Sequence, residues 1–226
     1  MTTLSIIIPA LNESATLAAT LLALQPLRTR GVEVVVVDGG SGDDTARIAA
    51  AYCDQVLTSP RGRATQMNAG AKIARGAVLL FLHADSLLPA DADTFIRRAL
   101  NSTPAWGRFD VRITGSHPLL PVIAWLMNRR SRATGIATGD QGIFMTREMF
   151  WQVGGFPEQP LMEDIEMSSR LKKISPPVCL PQVITTSGRR WEQHGVWRTI
   201  FNMWRMRLAY FFGASPASLH RQYYGN

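Results

Sequence analysis

The chain has 226 residues, of which 46% are hydrophobic and 18% charged, a composition typical of a globular protein that excludes a disordered one. Its two cysteines, Cys53 and Cys179, exclude a disulfide scaffold and favour a reducing compartment. The formal net charge of +7 indicates an anionic ligand or an anionic membrane surface. We expect no nucleic-acid partner, because the basic residues are not gathered in one tract before the last part of the chain. No apolar run approaches the ~18 residues of a membrane-spanning helix, and no secretory signal precedes the first strand, so we expect a cytoplasmic protein.

Short apolar runs alternate with helical patterns in residues 1–89. The runs at Leu4–Ala10, 32–37 and 78–82 have no polar alternation, which predicts strands buried on both faces, and a shorter strand is predicted at Gln55–Thr58. Helical patterns separate these runs. The resulting β-α-β-α-β-α-β order predicts an α/β fold with a mostly parallel central sheet and helices on both faces.

Beyond residue 90 the order of elements is less regular. Trp106–Thr114 alternates between apolar and polar residues and predicts a half-exposed, antiparallel strand. We predict an apolar helix at residues 119–128, a polar loop at 131–139, a helix that begins with acidic residues at 163–173, and a long final helix at 196–213.

Acidic side chains follow two of the predicted buried strands. Asp38 ends the second strand, and His83 and Asp85 follow the run at 78–82, so all three are expected at one edge of the sheet, where ligands of open α/β sheets bind. An imidazole and a carboxylate two residues apart can hold a divalent cation that carries a phosphorylated ligand. Two structural alternatives stay open: Asp38 closes an Asx-turn, and Asp85 caps the next helix.

Two further polar segments are candidates for chemistry. Glu163 and Asp164 stand side by side at a predicted helix start, where the helix dipole favours them, and one of them can alternatively serve as a general base. Gly139, Asp140 and Gln141 form a polar loop before a strand and can line an acceptor pocket.

Several motifs in order resemble those of the family 2 glycosyltransferases, which have the GT-A fold. The resemblance covers residues 4–175 and is carried by IIIPALNE, VVVVDGGSGDDT, RGRATQMNAGAKIARG, VLLFLHADS, TGDQGIFMTREMFWQVGGFPE and MEDIEMSSRLKK. It implies an inverting transferase that uses a nucleoside-diphosphate sugar, expected to be a UDP-sugar, with Mn²⁺ or Mg²⁺. It also implies a catalytic domain at 1–190, with a nucleotide-sugar half at 1–89 and an acceptor half at 90–190, followed by a helical extension at 191–226.

The resemblance also implies roles for individual residues. Asp164, beside Glu163, would be the catalytic base, and Asp85 the metal ligand. His83 stands where the family has the first Asp of Asp-x-Asp, so its part in metal binding stays open. The residues expected at the nucleotide sugar are Pro9, Ala10, Asn12, Glu13, Asp38, Gly40, Arg63, Asn68, His83, Ala84, Asp85 and Arg190. The residues expected at the acceptor are Gly139, Asp140, Gln141 and Trp191. Arg190 and Trp191 resemble an Arg-Trp motif of larger members, although Ser187 replaces its accompanying Gln.

Two other classes of protein share part of this pattern. A sugar-phosphate nucleotidyltransferase shares the architecture but needs a basic Gly-rich loop after the first strand, and residues 10–13 contain no basic residue. A non-catalytic membrane-surface module explains the last helix but not the acidic loops at one sheet edge.

The last predicted helix has an apolar face. Its members recur at spacings of three, four and seven, and they are Trp197, Ile200, Phe201, Trp204, Leu208, Phe211 and Phe212. This face predicts packing on the catalytic domain, a homodimer contact, or a peripheral contact with an anionic membrane, at the inner face of the plasma membrane, that would suit a lipid-linked acceptor.

Overall fold

The computed structural model describes residues 3–101 and 105–224, so the outer limits of the predicted domains, at residues 1 and 226, lie outside the described residues. Within these ranges the elements are β1 (Leu4–Ala10), α1 (Ser14–Ala23), α2 (Gln25–Thr29), β2 (Glu33–Asp38), α3 (Thr45–Tyr52), β3 (Gln55–Thr58), α4 (Arg63–Ile73), β4 (Val78–Phe81), β5 (Ser86–Leu87), α5 (Ala92–Leu100), β6 (Trp106–Thr114), α6 (Leu120–Thr134), a 3₁₀ turn (Gly139–Gln141), β7 (Ile143–Thr146), α7 (Arg147–Gln152), α8 (Glu163–Leu171), β8 (Val178–Ser187), α9 (Arg189–His194), α10 (Val196–Phe211) and α11 (Pro216–Tyr224).

The strands of the described ranges form one sheet in the order β3-β2-β1-β4-β7-β6-β8-β5. Strands β1 to β4 pair in parallel, as the alternation of strands and helices predicts. Strand β7 joins this half by pairing antiparallel with β4. The predicted antiparallel pairing of β6 holds for its neighbour β7 but not for β8, with which β6 runs parallel.

Helices cover both faces of the parallel half because successive side chains of a strand point to opposite faces. Ile6 and Ile8 of β1 pack into a cluster with α1, α3 and α5. Ile7 packs into the opposite cluster, which contains residues of α4, α7 and α8. Helix α4 approaches closely at Gly70, where an added Cβ would lie 2.5 Å from Cγ2 of Ile7. The buried apolar runs therefore fix the strands between two layers of helices and leave the strand ends free for a site.

Two predictions for the second half of the chain were wrong. The segment 131–139 was expected to be a loop, but α6 continues to Thr134 and ends at Gly135, whose left-handed backbone (φ 69°) is suited to a helix C-cap. Buried Ser131 faces the interior, so its polarity does not mark a loop. The helix predicted at 196–213 is not the last one, because α11 follows, beginning with Pro216.

A third apolar cluster joins β6, α6, α9 and α10, with Ile123 of α6, Trp191 of α9 and Val196 of α10 among its members. Helix α10 thus packs by one side against β6, α6 and α9. Among the helices of the described ranges, none combines the length and the hydropathy that crossing a bilayer requires.

Candidate functional site: a cleft at the carboxyl ends of the parallel strands

A large cleft of about 1420 Å³ opens where the parallel strands end. It collects residues from the ends of β1 and β4, the start of α4, the 3₁₀ turn, the start of α8, and α9. The sequence-predicted residues that line it are Pro9, Ala10, Glu13, Arg63, His83, Ala84, Asp85, Gly139, Asp140, Glu163, Asp164, Arg190 and Trp191. Segments far apart in the sequence therefore meet in one cavity, as the motif order predicts.

Five predicted residues do not line this cleft: Asn12, Asp38, Gly40, Asn68 and Gln141. Asn12 accepts a hydrogen bond from the Gly42 N–H, and Gln141 forms the capping box of the 3₁₀ turn with Thr138. The side-chain amide of Asn68 pairs with the backbone N–H and carbonyl of Phe156. These side chains hold the surrounding loops in place, and their contact with a ligand stays a prediction.

Asp38 closes the turn that follows β2. Its carboxylate accepts from the backbone N–H groups of Gly40 and Ser41 at 3.1 and 3.0 Å and from the Ser41 hydroxyl. The Asx-turn, which is the structural alternative to a ligand contact for Asp38, is therefore present. Next to it, buried Gln66 donates to the carbonyls of Ala10 and Val37, both at 2.8 Å, and joins the ends of β1 and β2. Sequence reasoning missed Gln66, because a Gln in a helical pattern is ordinarily a surface residue.

Glu163 is a buried carboxylate at the start of α8. Its side chain is 3% exposed, and its Oε1 lies 3.2 Å from Nη1 of Arg63. Burial, reinforced by the neighbouring charge of Asp164, raises the pKa of Glu163, and Arg63 opposes this rise. The preceding residue, Met162, has a left-handed backbone (φ 65°), an unfavourable conformation for a non-glycine residue that is typical of functional sites.

Asp164 lines the cleft with its carboxylate held on both oxygens by backbone donors. The Gly139 N–H donates to Oδ2 at 2.9 Å, and the Ile165 N–H donates to Oδ1 at 2.7 Å. A carboxylate can accept about four hydrogen bonds, so these two leave acceptor capacity towards the cleft.

His83 binds Asp140 across the cleft floor. Its Nδ1 lies 3.1 Å from Oδ1 of Asp140. Burial acts to raise the pKa of Asp140, but the hydrogen bond with His83 and nearby positive charges, including Arg63 and Arg190, lower it below the ordinary value. The other ring nitrogen, Nε2, is buried without a hydrogen-bond partner in the described part of the chain and faces Gly139, where an added Cβ would lie 2.3 Å away. Both nitrogens of His83 are thus directed at the 3₁₀ turn.

Asp85 is the residue expected to hold a divalent cation. It lines the cleft and forms no ion pair with the described residues. Within those residues no three His, Cys, Asp or Glu side chains lie close enough to hold a metal by themselves. Mg²⁺ in nucleotide sites is commonly held by one or two carboxylates together with substrate phosphates, so a single carboxylate fits this kind of binding.

Two arginines near Asp164 carry no signal in the sequence. Burial, followed by repulsion from Arg207, lowers the pKa of Arg130 on α6 to about 10, and the charge of Asp164 opposes this. Burial also lowers the pKa of Arg207 on α10, opposed by Asp164 and Asp140. Both helices belong to the second half of the fold, and their other arginines lie on the surface. Only the packing of α6 and α10 distinguishes these two.

Comparisons with known proteins agree with this geometry. The model of the family described as "Glycosyl transferase family 2" matches residues 5–153, more than half of the chain. The PGL/p-HBAD biosynthesis glycosyltransferase of Mycobacterium bovis is 39% identical over 102 residues, which are 42% of this chain and 40% of that protein. The chain thus matches less than half the length of this curated relative.

Two solved structures share the fold. TarS of S. aureus in complex with UDP-GlcNAc superposes with a TM-score of 0.66 and 17% identity, over 82% of this chain and 58% of that chain. The mannosyltransferase PcManGT from Pyrobaculum calidifontis, in complex with GDP-Man and Mn²⁺, gives a TM-score of 0.66 and 22% identity, over 91% of this chain and 60% of that chain. These likenesses confirm the predicted GT-A type of α/β fold. The family model, which matches more than half of the chain, shows that it belongs to glycosyl transferase family 2.

Proposed function

We propose that this glycosyltransferase moves a sugar from a nucleoside-diphosphate sugar, a UDP-sugar in the first instance, to an acceptor hydroxyl with inversion at the anomeric carbon. The observation that carries the proposal is the cleft in which Asp85, Arg63 and Asp164 meet. The ligands in the complexes of the structural neighbours, UDP-GlcNAc, GDP-Man and Mn²⁺, support a nucleotide-sugar donor and a divalent metal. UDP is chosen because Asp38 matches the family position at the uracil or ribose.

Asp164 is the general base in this proposal. It takes the proton of the acceptor hydroxyl while the hydroxyl oxygen attacks the anomeric carbon, and the bond from that carbon to the diphosphate breaks in the same displacement. Glu163 is less suited, because its carboxylate is buried against Arg63. Backbone donors hold the Asp164 carboxylate in one orientation, as a base that must face the acceptor requires.

Asp85 would hold Mn²⁺ or Mg²⁺, which would supply positive charge for the leaving diphosphate. His83 orients Asp140 rather than ligating the metal, since its nitrogens face Asp140 and Gly139. Arg190, whose guanidinium lies 4.4 Å from the ring centroid of Tyr223, faces the diphosphate from the other wall of the cleft.

The remaining predicted contacts complete the site. Pro9, Ala10 and Glu13 border the nucleotide at the end of β1. Gly139, Asp140 and Trp191 form the acceptor side, where Trp191 joins the cleft to the third apolar cluster.

Donor hydrolysis tests the proposal, because water takes the place of an unidentified acceptor. The purified protein is incubated with a panel of nucleotide sugars and Mn²⁺, and release of nucleoside diphosphate is measured. We expect Asp164→Asn to lower kcat by about 10²-fold or more, the effect of losing a general base, with donor affinity near normal. Glu163→Gln is the matched control and is expected to retain most of the activity.

The result that overturns this assignment is a large loss in Glu163→Gln with little change in Asp164→Asn. Failure of every nucleotide sugar to bind or be cleaved, with pyrophosphate released from a nucleoside triphosphate and a sugar phosphate instead, would move the protein to the nucleotidyltransferases.

A further inference from the structure

Helix α10 presents an aromatic surface that no described part of the chain covers. Its outward residues follow one another at about one helical turn, and they are Trp197, Phe201, Trp204 and Leu208, with Phe211 and Phe212 at the end. Trp197, Trp204 and Phe211 are 72%, 75% and 81% exposed. The opposite side of the helix is the one that packs, through Val196 and Met206. The sequence pattern had placed Ile200 on the aromatic side, but it packs against the third apolar cluster.

Helix α6 adds a second outward apolar strip. Val122, Trp125 and Leu126 are exposed, whereas Ile123 and Met127 of the same helix are buried in the cluster shared with α10. The outward strips therefore belong to helices that share one core. We call these two strips together the aromatic face. Single exposed apolar residues are ordinary on a protein surface, but a row of exposed aromatic residues along one helix, as on α10, marks an interaction site.

The two helices of the aromatic face carry charges of one sign. Helices α6 and α10 contain no Asp or Glu, and none occurs after Glu192. The guanidinium of Arg129 lies 5.2 Å from the Trp125 ring centroid, and exposed Arg198 and Arg205 border the strip of α10. An apolar strip flanked by arginines complements a surface that is apolar inside and anionic at its rim.

We propose that the aromatic face docks on an anionic lipid bilayer. Trp and Phe side chains enter the boundary between headgroups and acyl chains, and the arginines contact anionic headgroups. A second copy of the chain fits less well, because a two-fold contact would bring the arginines of each α10 towards those of the other without acidic partners on either helix. The contact is peripheral, as no described helix can cross the bilayer.

Docking also places the cleft next to the bilayer. Trp191 of α9 and Thr199 and Met203 of α10 line it, so the helix that meets the bilayer also forms one wall of the cavity. The acceptor side then opens next to the lipid surface. The docking proposal stands on the exposed surface alone and does not depend on the proposed transfer reaction.

Flotation with vesicles tests the proposal. The full chain is mixed with vesicles of neutral phosphatidylcholine, alone or with phosphatidylglycerol, at low and high salt. We expect it to float with the anionic vesicles at low salt and to bind neutral vesicles at least about tenfold less, because attraction between arginine and lipid is electrostatic and screened over about 8 Å at physiological ionic strength.

Paired variants assign the contact to the aromatic face. Trp197→Glu plus Trp204→Glu is expected to reduce vesicle binding by at least about tenfold. Trp151→Glu, which changes an exposed tryptophan on α7, is the matched control and should bind as the wild type does. Arg198→Gln plus Arg205→Gln should weaken the salt dependence, with exposed Arg47→Gln on α3 as its control. Thermal melting verifies that each variant is folded.

Three results overturn the proposal. The first is wild type that stays unbound with anionic vesicles at low salt. The second is equal loss of binding in Trp151→Glu and in the double tryptophan variant. The third is a wild-type dimer in sedimentation velocity that the double tryptophan variant abolishes, in which case the occupant of the aromatic face is a second copy.

Discussion

Two buried glutamates lie at opposite edges of the same sheet and have opposite electrostatic environments. Glu33, 9% exposed, begins β2, and its carboxylate accepts from the Ser5 hydroxyl, the Gln55 amide, and both the backbone and guanidinium N–H groups of Arg75. Burial acts to raise the pKa of Glu33, but these donors lower it below the ordinary value. Glu163, at the cleft edge, is similarly buried, yet its pKa is raised.

The difference comes from the neighbours and not from the depth of burial. Glu33 has a set of donors that connects β1, β2, β3 and the loop after α4, so its charge stabilises the fold. Glu163 has Arg63 as its ion-pair partner, but Asp164 adds a second negative charge beside it. Placing two carboxylates side by side costs stability. The pair of Glu163 and Asp164 therefore indicates a chemical role at the carboxyl ends of the parallel strands.

The largest expected effect comes from a substitution in the cleft, which leaves the opposite edge with Glu33 unchanged. Asp85→Ala removes the carboxylate proposed to hold the metal, and we expect affinity for UDP in the presence of Mn²⁺ to fall by about 10²-fold or more, since a metal held by one carboxylate depends on it. Isothermal calorimetry with UDP, with and without Mn²⁺, measures this.

The matched control for this experiment is Asp91→Ala, which removes a carboxylate that is 68% exposed. It should leave UDP affinity unchanged. Unchanged affinity in Asp85→Ala, with the protein folded, would remove Asp85 from the donor site.

The next largest effect is expected at the amino ends of the parallel strands, where Glu33 lies. Glu33→Gln places amide N–H groups against the donors of Arg75 and Ser5, so buried polar groups lose their acceptor, and we expect the free energy of unfolding to fall by about 2 kcal/mol. Donor affinity per folded molecule should stay the same, because Glu33 lies at the far end of the strands. Urea unfolding and the same calorimetry measure both quantities. A larger stability loss in Glu163→Gln than in Glu33→Gln would contradict the comparison.

Much of the parallel half could be predicted from the sequence, because its information is local. Continuous apolar runs identify β1 and β4, and the polar residues that follow them fall at the predicted edge. Asp85 and the pair Glu163 and Asp164 were selected as candidates in this way, since they stand directly after a strand or at a helix start, whereas the choice of Asp164 within the pair came from the resemblance to the family.

The contacts of the site could not be predicted, because they depend on which strands become neighbours. His83 meets Asp140 since β7 pairs antiparallel with β4, with Phe81 opposite Ile143, and this brings the turn before β7 to the end of β4. The Gly139 N–H reaches Asp164 through the same arrangement. Arg207 comes within the electrostatic influence of Asp164 and Asp140 because α10 packs with one side inwards.

The smallest effect is the most specific test of the comparison, and it uses the pH dependence of stability. The folded-state pKa of Glu33 is lowered, so its contribution is present above the ordinary glutamate value and is lost as the pH falls through the lowered one. The stability advantage of the wild type over Glu33→Gln should therefore grow as the pH rises through this window.

The pKa of Glu163 is raised, so its contribution to stability is present below the ordinary value and is lost as the pH rises through the raised one. The advantage of the wild type over Glu163→Gln should accordingly shrink with rising pH, a change shared with Asp164 because the two carboxylates interact. Each slope is at most about 1.4 kcal/mol per pH unit, and urea unfolding over a pH series resolves it, with exposed Glu148→Gln as the control for loss of a carboxylate. Slopes of the same sign in the two variants would mean that the two edges treat a buried carboxylate alike, and the contrast between the neighbours of Glu33 and those of Glu163 would fail.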